Sequence, residues 1–571
     1  MYHKYNCVLL LLLCSGFVAA QPAFNIPGFY NEDGTRHEII DPLWPWADTI
    51  NVLDFGADPA DNASDDRPAI EDALNAAGQG DVVWFPNGVY NLMSTASNYD
   101  NAHLSLTDAE SLHGESREGA IIKSQFPIAV NENETSRTVR LQGVYACTIK
   151  NLTFTSDFSG TYWTDRVSNN PDRSAPGVHL YIDDSGSTPS RRIVVENCSF
   201  EKYRAVAIRL ANSSDCIVRN SSFELATDVG GGGAGYGISI QGNGHGVDSY
   251  GLFRDSRYNL VENCTFTGPH IRHGVVIQYF SHNNLVRNNV LHATSMDALD
   301  LHGEDEYNNE LCYNTVTDVL LGGGVGVGNT GAEHDASGYN NYIHHNTFRN
   351  CREGVRVYLG SPYTRIEGNI VENSAIAVSR GLYIQNAPHT TIKDNIIRNN
   401  LAGGFRGIHL VYDSGTLGAH YGDPENIWID GNQVYNNAYG IVIDDGKSIY
   451  YGPNNSVYNN TVDTLFAADV TWQKTSQISP ESLPFQANVM HTFPNPFNTA
   501  FVVELNLVEQ GWGDLSLLDI RGRKIAKIYA GNMNAGTSRW QVNVPALSSG
   551  IYLINLQQGS VTRTQKIILD R

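Results

Sequence analysis

The chain has 571 residues, several times a median domain, and with 41% hydrophobic and 17% charged residues it has the composition of a large folded body, not of a disordered one. Lys and Arg number 38 against 60 Asp and Glu, a formal charge of −22, which argues against a polyanionic nucleic acid as partner. Beyond Ala20 no stretch is long and apolar enough to cross a bilayer, so no transmembrane segment is expected.

In chain order, His3 and Lys4, the apolar run Leu9 to Leu13 and the small residues Val18, Ala19 and Ala20 before Gln21 form the zones of a secretory signal over 1–20. Cys7 and Cys14 leave with it, so six of the eight cysteines remain, in a compartment that permits disulfides. Residues 21–48 read as an amino-terminal extension. Ser64-Asp65-Asp66 precedes Pro68 and the apolar series Ile70, Ala73, Leu74 and Ala77, which predicts an N-capped amphipathic helix placed to cover an open strand edge.

From 49 to 465 the sequence repeats. A short strand recurs as Asn-x-apolar at Asn314, Asn346, Asn369, Asn395, Asn432 and Asn460, with Leu152, Cys198, Ser221, Cys264 and Asn289 in the same place upstream. A second strand follows as Gly-apolar-x-apolar, for example Gly274-Val275-Val276-Ile277 and Gly354-Val355-Arg356-Val357. Units of roughly 23 to 45 residues without intervening helices cannot bury their inner face alone and stack as coils of a solenoid. The aligned asparagines then form an amide ladder inside one turn. Cys198 and Cys264 fall in one column with Ser221 between them, roughly 9.6 Å apart at about 4.8 Å per coil, too far for a disulfide.

Because strand residues alternate in and out, stacking the second strands produces a surface map. Its central outward column runs His179, Arg209, Ser239, Val276, Asp300, Gly326, Arg356, Tyr383, His409 and Val442. Flanking columns bring His273, Asp297, Gly323, Glu353 and Arg380 to one side and Tyr181, His302, Gly328 and Tyr358 to the other. Asp297, Asp300, His302 and Glu304 thus border the side-chain-poor run Gly322 to Gly328, with Arg356 beyond it, a floor on which a sugar ring can lie. Asp297, Asp300, His302 and Arg356 are the candidate catalytic residues. Arg209, His273, Glu353, Arg380 and His409 are the candidate substrate-binding residues. Asp297, Asp300 and Glu304 offer hard oxygens for a calcium ion.

Two chemistries suit this patch. In β-elimination a uronate carboxylate is neutralised, often by calcium, while Arg356 or His302 removes the proton at C5. In hydrolysis a carboxylic acid and a second carboxylate act together; three residues of extended chain between Asp297 and Asp300 can reach the wider inverting separation. Around His344-His345 and His273 there is no CxxC or HExxH pattern, so zinc is not expected.

After 466 the asparagine register stops. Residues 466–490 read as a linker rich in Ser, Gln and Pro, and 491–571 contain five alternating stretches expected to form a small antiparallel sandwich.

Ile50-Asn51-Val52-Leu53-Asp54-Phe55-Gly56-Ala57, Asp65-Asp66-Arg67-Pro68-Ala69-Ile70 and Val83-Trp84-Phe85-Pro86-Asn87-Gly88-Val89-Tyr90 resemble the opening of right-handed parallel β-helix proteins of the pectate-lyase superfamily. That resemblance implies an all-β fold, a parallel β-helix with an amino-terminal capping helix. Phe493-Pro494-Asn495-Pro496-Phe497-Asn498, Leu518-Asp519-Ile520-Arg521-Gly522-Arg523 and Ser548-Ser549-Gly550-Ile551-Tyr552 resemble the carboxy-terminal sorting domain (type A) of type IX secretion, which implies that secretion machinery as a partner and a secreted or cell-surface location. Asp300-Leu301-His302 is similar to the Asp-Pro-His strand of mannuronan C5-epimerases, but Asp297 and Gly323 depart from that pattern. Gly244-His245-Gly246 resembles a polygalacturonase tripeptide without its acidic companions, and reads as a loop. The expectation is a monomeric polysaccharide-degrading enzyme acting on an acidic polysaccharide, as a lyase or alternatively as a glycoside hydrolase; C5-epimerase and surface glycan-binding protein rank lower.

Overall fold

The computed structural model describes residues 37, 48–61, 63–96, 101–126, 136–186, 188–242, 255–303, 306–328, 338–358, 360–416, 419, 421–473, 489–493, 499–507, 510–519, 523–534, 536–544, 547–558 and 561–569. Three parallel sheets carry the repeat. Sheet I has fourteen strands, from Thr49–Asn51 to Tyr450–Tyr451; sheet II has thirteen, from Gly88–Leu92 to Ser456–Tyr458; sheet III has thirteen, from Ala102–Leu106 to Val462–Phe466. Each coil visits them in that order, as in Glu310–Cys312, Thr315–Thr317 and Gly323–Val327, before Tyr342–His344 opens the next. This is a right-handed parallel β-helix.

The interior explains the Gly-apolar-x-apolar motif. Phe154, Phe200, Phe223 and Phe266 of sheet II stack at 5.2, 5.1 and 4.7 Å between ring centroids, and are fully buried. The motif glycine faces this stack from sheet III: a Cβ at Gly237 would lie 2.7 Å from Phe266, and one at Gly324 2.2 Å from Phe348. The apolar residue after it is also in the core, so two consecutive residues face inward and the first must be small.

That geometry corrects the start of the surface map. Val178–Asp183 pairs Tyr181 with Arg140 and Arg209, so Tyr181 and not His179 stands in the central outward column. His179 occupies the glycine column in its coil. It is fully buried, its ring against Phe154, Phe200 and Tyr203 and its nitrogens bonded to Thr138 Oγ1 and the Glu201 carbonyl.

Asparagines form three ladders. The first runs Asn289, Asn314, Asn346, Asn369, Asn395, Asn432 and Asn455, each Nδ2 donating to the next Oδ1. A second, Asn259, Asn284, Asn309 and Asn341, and a third, Asn400, Asn437 and Asn460, use other turns. Asn460 therefore leaves the predicted column, because Asn460-Thr461 leads into sheet III, where Val462 pairs with Tyr439. All six remaining cysteines are free and buried, and Ser221 Oγ, accepting from the Cys198 amide, fills the position between Cys198 and Cys264.

The helix spans Arg67–Ala76. Its acidic leader does more than cap. Asp66 accepts from the Asp58 and Asn91 amides, and Asp65 accepts from the Arg67, Met93 and Ser94 amides, so the pair sutures the helix to the first coil. At the far end coil packing continues past residue 465: Ile449 bridges Trp472, Val470 lies in the core, and Phe466 meets Trp472 at 5.1 Å.

The carboxy-terminal region has seven strands where five were expected. Val489–Phe493, Ala500–Leu507 and Gly536–Asn543 form one antiparallel sheet; Lys524–Met533, Gly511–Asp519, Gly550–Gln558 and Val561–Leu569 form another. Phe501, Val503, Leu505, Leu515, Leu517, Ile554, Leu556 and Ile567 are in its core. Residues 494–498 and 520–522 of the sorting-domain motifs lie outside the described residues.

Candidate active site

The candidate residues meet on the outer face of sheet III. Val276, Asp300, Gly326, Arg356, Tyr383 and His409 are register partners in successive coils. Gly326 makes the centre: a Cβ there would stand 3.1 Å from Asp297 Cγ and Oδ2 and 3.1 Å from Asp300 Oδ1. With no side chain in the way, Arg356 reaches across that coil and donates from Nη2 to Asp297 Oδ2 at 2.6 Å. The Gly323 amide donates to the other oxygen of Asp297 at 2.5 Å.

Asp300 is 6% exposed and accepts from His302 Nδ1 at 2.9 Å, with His273 Nδ1 3.8 Å away. Burial pushes its carboxyl up, but His302, His273 and Arg356 together outweigh burial and hold it at about 2. A carboxylate can only accept, so His302 Nδ1 carries the proton and Nε2 is the basic nitrogen of the ring. His302 is one-third exposed at its side chain, so a substrate can approach it. His273 is buried against Tyr236, its Nδ1 2.8 Å from the Asp297 carbonyl oxygen, and burial holds its pKa below the ordinary histidine value.

Burial works against the charge on Arg356, yet the neighbouring Asp297 first, then Tyr358 and Glu353, more than offset it and raise its pKa. Glu353 lies 3.7 Å from Arg356 and 3.3 Å from Arg380. Arg380 lies over the Tyr383 ring at 4.1 Å and donates from Nε to His409 Nδ1; His409 Nε2 lies 2.8 Å from Asp444. Burial holds His409 at about 4, so its ring is neutral at neutral pH. Asp297, Arg356, Glu353, Arg380 and His409 thus form one chain of contacts, and His273, touching both Asp297 and Asp300, joins the Asp300–His302 pair to it.

Arg209 is not brought in. Ser239 and Val276 stand between it and Asp300 in the register, which places it three coils away, roughly 14 Å; there it faces Tyr181, as Arg137 does. Glu304 and the Gly244-His245-Gly246 loop lie outside the described residues. Tyr358 was in the map without a role. It falls in the column of His302 with only Gly328 between them and lies 5.0 Å from the Arg356 guanidinium; burial raises its pKa and keeps the phenol protonated.

Among the described residues, His273, Asp297 and Asp300 place ligand atoms within 4.8 Å of one another. Calcium takes six to eight oxygens; of the predicted ligands this cluster contains Asp297 and Asp300, while Glu304 lies outside the described residues. Arg356 and Gly323 already occupy both oxygens of Asp297, and His273 offers nitrogen. An oxygen of Asp297 and an oxygen of Asp300 are among these atoms, so the two carboxylates approach each other to within 4.8 Å.

Comparison with known proteins agrees with this architecture. Residues 49–302 match the family model Rhamnogalacturonase A/epimerase, pectate lyase-like; residues 325–462 match Right handed beta helix region; residues 491–570 match Secretion system C-terminal sorting domain. The chain is therefore a β-helix protein with a type IX sorting tail, similar over residues 49–302 to the pectate-lyase-like family, and it is secreted or attached at the cell surface. Over 207 residues it is 28% identical to plasmin and fibronectin-binding protein A of Streptococcus pneumoniae, a match covering 34% of this chain and 26% of that protein. The chain thus spans about a quarter of the length of that curated relative. The mannuronan C-5 epimerase AlgE6 A-module of Azotobacter vinelandii shares 18% identity over 73% of this chain and 99% of its own, at a TM-score of 0.36. The family 28 exopolygalacturonase of Yersinia enterocolitica shares 12% over 77% of this chain and 79% of its own, at 0.45.

Proposed function

We propose that the protein is a polysaccharide lyase that cleaves a uronate-containing glycan by β-elimination on the sheet III face. The observation that carries this reading is the Asp300–His302 pair: a buried carboxylate bonded to Nδ1 leaves Nε2 as the basic nitrogen of a ring whose side chain is one-third exposed. His302 Nε2 takes the C5 proton, the C4–O bond breaks, and a C4–C5 double bond forms. The electron pair leaves on the glycosidic oxygen, for which the Tyr358 phenol is the nearest acid in the same column. Arg356 and Arg380 offset the charge of the uronate carboxylate. The ion pair with Asp297 keeps Arg356 protonated, which favours a clamp over a base.

No step is routed through calcium. Hydrolysis is the second reading, favoured by the rhamnogalacturonase in the description of the matched family. It asks for a protonated carboxyl, whereas His302, His273 and Arg356 around Asp300 lower its pKa.

The test is digestion of a panel of acidic polysaccharides, pectate, alginate, ulvan and glycosaminoglycans, monitored by the ultraviolet absorbance of an unsaturated uronate. The expected result is absorbance that rises with new reducing ends, persists in excess chelator, and falls about 10²-fold or more in His302→Ala and Asp300→Asn. Arg356→Lys keeps charge but loses the fork, and should mainly raise KM. Reducing ends without absorbance would establish hydrolysis instead.

A further inference from the structure

Sheet I holds a second constellation. Along one outward column the register alternates in sign through Lys150, Glu196, Arg219, Glu262 and Arg287, and resumes at Glu367. Neighbours are ion-paired, Lys150 to Glu196 at 3.1 Å, Arg219 to Glu196 at 3.0 Å and Arg287 to Glu262 at 2.8 Å. Between Arg287 and Glu367 the ladder is interrupted by Cys312 and His344, which are register partners. Glu310, two residues before Cys312 on the same face, brings Oε1 to 2.8 Å from His344 Nε2 and 3.6 Å from Cys312 Sγ. The three donor atoms lie within 4.8 Å of one another, and Cys312 and His344 are 2% and 7% exposed.

We propose that Glu310, Cys312 and His344 form a binding site for a borderline divalent cation of the zinc type, clipping two successive coils together. Thiolate, imidazole and carboxylate are the ligand set such an ion prefers. Tetrahedral bonds of ordinary zinc length require an O···N edge of about 3.4 Å and an O···S edge of about 3.6 Å. The second is already present, and the first needs an opening of roughly half an ångström, within reach of a small side-chain rotation. On binding, the neutral His344 ring carries its one proton on Nδ1 and leaves Nε2 for the ion, the Cys312 thiol loses its proton to solvent, and a water completes the tetrahedron.

The surroundings suit the exchange. His344 Nδ1 lies 2.8 Å from His345 Nδ1, and the His344 ring stacks on Tyr342 at 4.0 Å. With the ion on Nε2, the remaining His344 proton sits on Nδ1 and donates to His345, the outer hydrogen bond that orients metal-binding histidines. Cys312 and His344 bracket the one coil that carries Gly323–Val327, so the clip secures both ends of the floor of the candidate active site. A motif search misses it because the ligands are contiguous only across coils.

The test uses the full chain without its signal segment, stripped by chelator and titrated with Co2+. The expected result is a near-ultraviolet thiolate-to-metal charge-transfer band that saturates at about one equivalent, is displaced by Zn2+, and disappears in Cys312→Ser. Asp300→Asn should keep it, which separates this site from the sulfur-free cluster on sheet III. Because Cys312 is buried, His344→Gln and Glu310→Gln are measured beside it, with circular dichroism as the check on folding; each should weaken Co2+ at least tenfold or so. A wild-type chain without the band, a band that survives Cys312→Ser, or unchanged affinity in the folded His344→Gln and Glu310→Gln proteins would overturn the proposal.

Discussion

Gly326 and Gly324 sit two residues apart on one strand and should fail in opposite ways. An added methyl at 326 would press on both carboxylates at 3.1 Å, forcing them apart by a few tenths of an ångström and opening the Asp297–Arg356 pair. At 324 it would meet Phe348 at 2.2 Å and the Gly354 carbonyl at 2.8 Å, inside the core. Gly326→Ala is therefore expected to lower kcat/KM by roughly tenfold or more with unfolding little changed, because a small misplacement of reacting groups is costly. Gly324→Ala is expected to cost about 1–3 kcal/mol of stability through overpacking. Turnover and thermal unfolding of both purified variants decide it; full turnover in Gly326→Ala would remove the glycine floor from the mechanism. The site was readable at this scale because alternation along a strand places Asp300, Arg356 and His409 on one face. What alternation does not reveal is who neutralises whom. The Arg356–Asp297 pair reaches across the coil of Gly326 and depends on that position being empty, while the Glu353–Arg380–His409 chain depends on long side chains bridging adjacent coils.

The asparagine ladders hold the turns in register, and their strength lies in continuity. Asn346 accepts from the Asn314 amide and side chain, and donates to the Leu311 carbonyl and to Asn369 Oδ1, all in a fully buried turn. Asn346→Ala removes the acceptor of the buried Asn314 amide and of one Asn314 side-chain N–H, at about 1–3 kcal/mol for each buried group left unsatisfied. Unfolding midpoints should therefore drop by several degrees or more. Asn436→Gly, removing a single exposed contact to Asn399 while suiting the φ of 57° at that position, should shift it little. Equal midpoints for the two variants would mean that the ladder contributes nothing beyond burial. Most of this element was legible in the sequence, since one residue type recurs at one place in the coil. The remainder was not, for local reasons: His179, like Thr138 and His103 before it, is a polar residue at the start of a column that glycine and alanine fill in the following coils, so hydropathy assigned it outward. Asn460 repeats the motif of the first ladder while its chain already turns into sheet III.

At the scale of the whole molecule the two folded regions have separate cores. The β-helix core runs from Val52 to Val470, while the sandwich core comprises Phe501 to Leu569, and the two share no residue. The strands differ in kind as well: parallel pairing from one coil to the next in the first region, antiparallel neighbours in the second. Each region satisfies its own backbone and buries its own apolar face, so the first should fold without the second. The described packing sets the cut. Ile449 bridges Trp472 and Val470 is buried, so a protein ending at 465 would strip the last coil of its cover, whereas one ending at 473 keeps it. We expect the 21–473 protein to retain the turnover of the full chain, and the 21–465 protein to unfold at a lower temperature. In the natural host, deletion of 491–571 should leave active protein in the periplasm and none in the medium, because the sorting domain, not the catalytic face, carries the address. Activity assays on the purified 21–473 protein, with fractionation of cells carrying the deletion, test both halves. An inactive but folded 21–473 protein would show that the sandwich takes part in catalysis, and active enzyme in the medium without it would show that export does not depend on it.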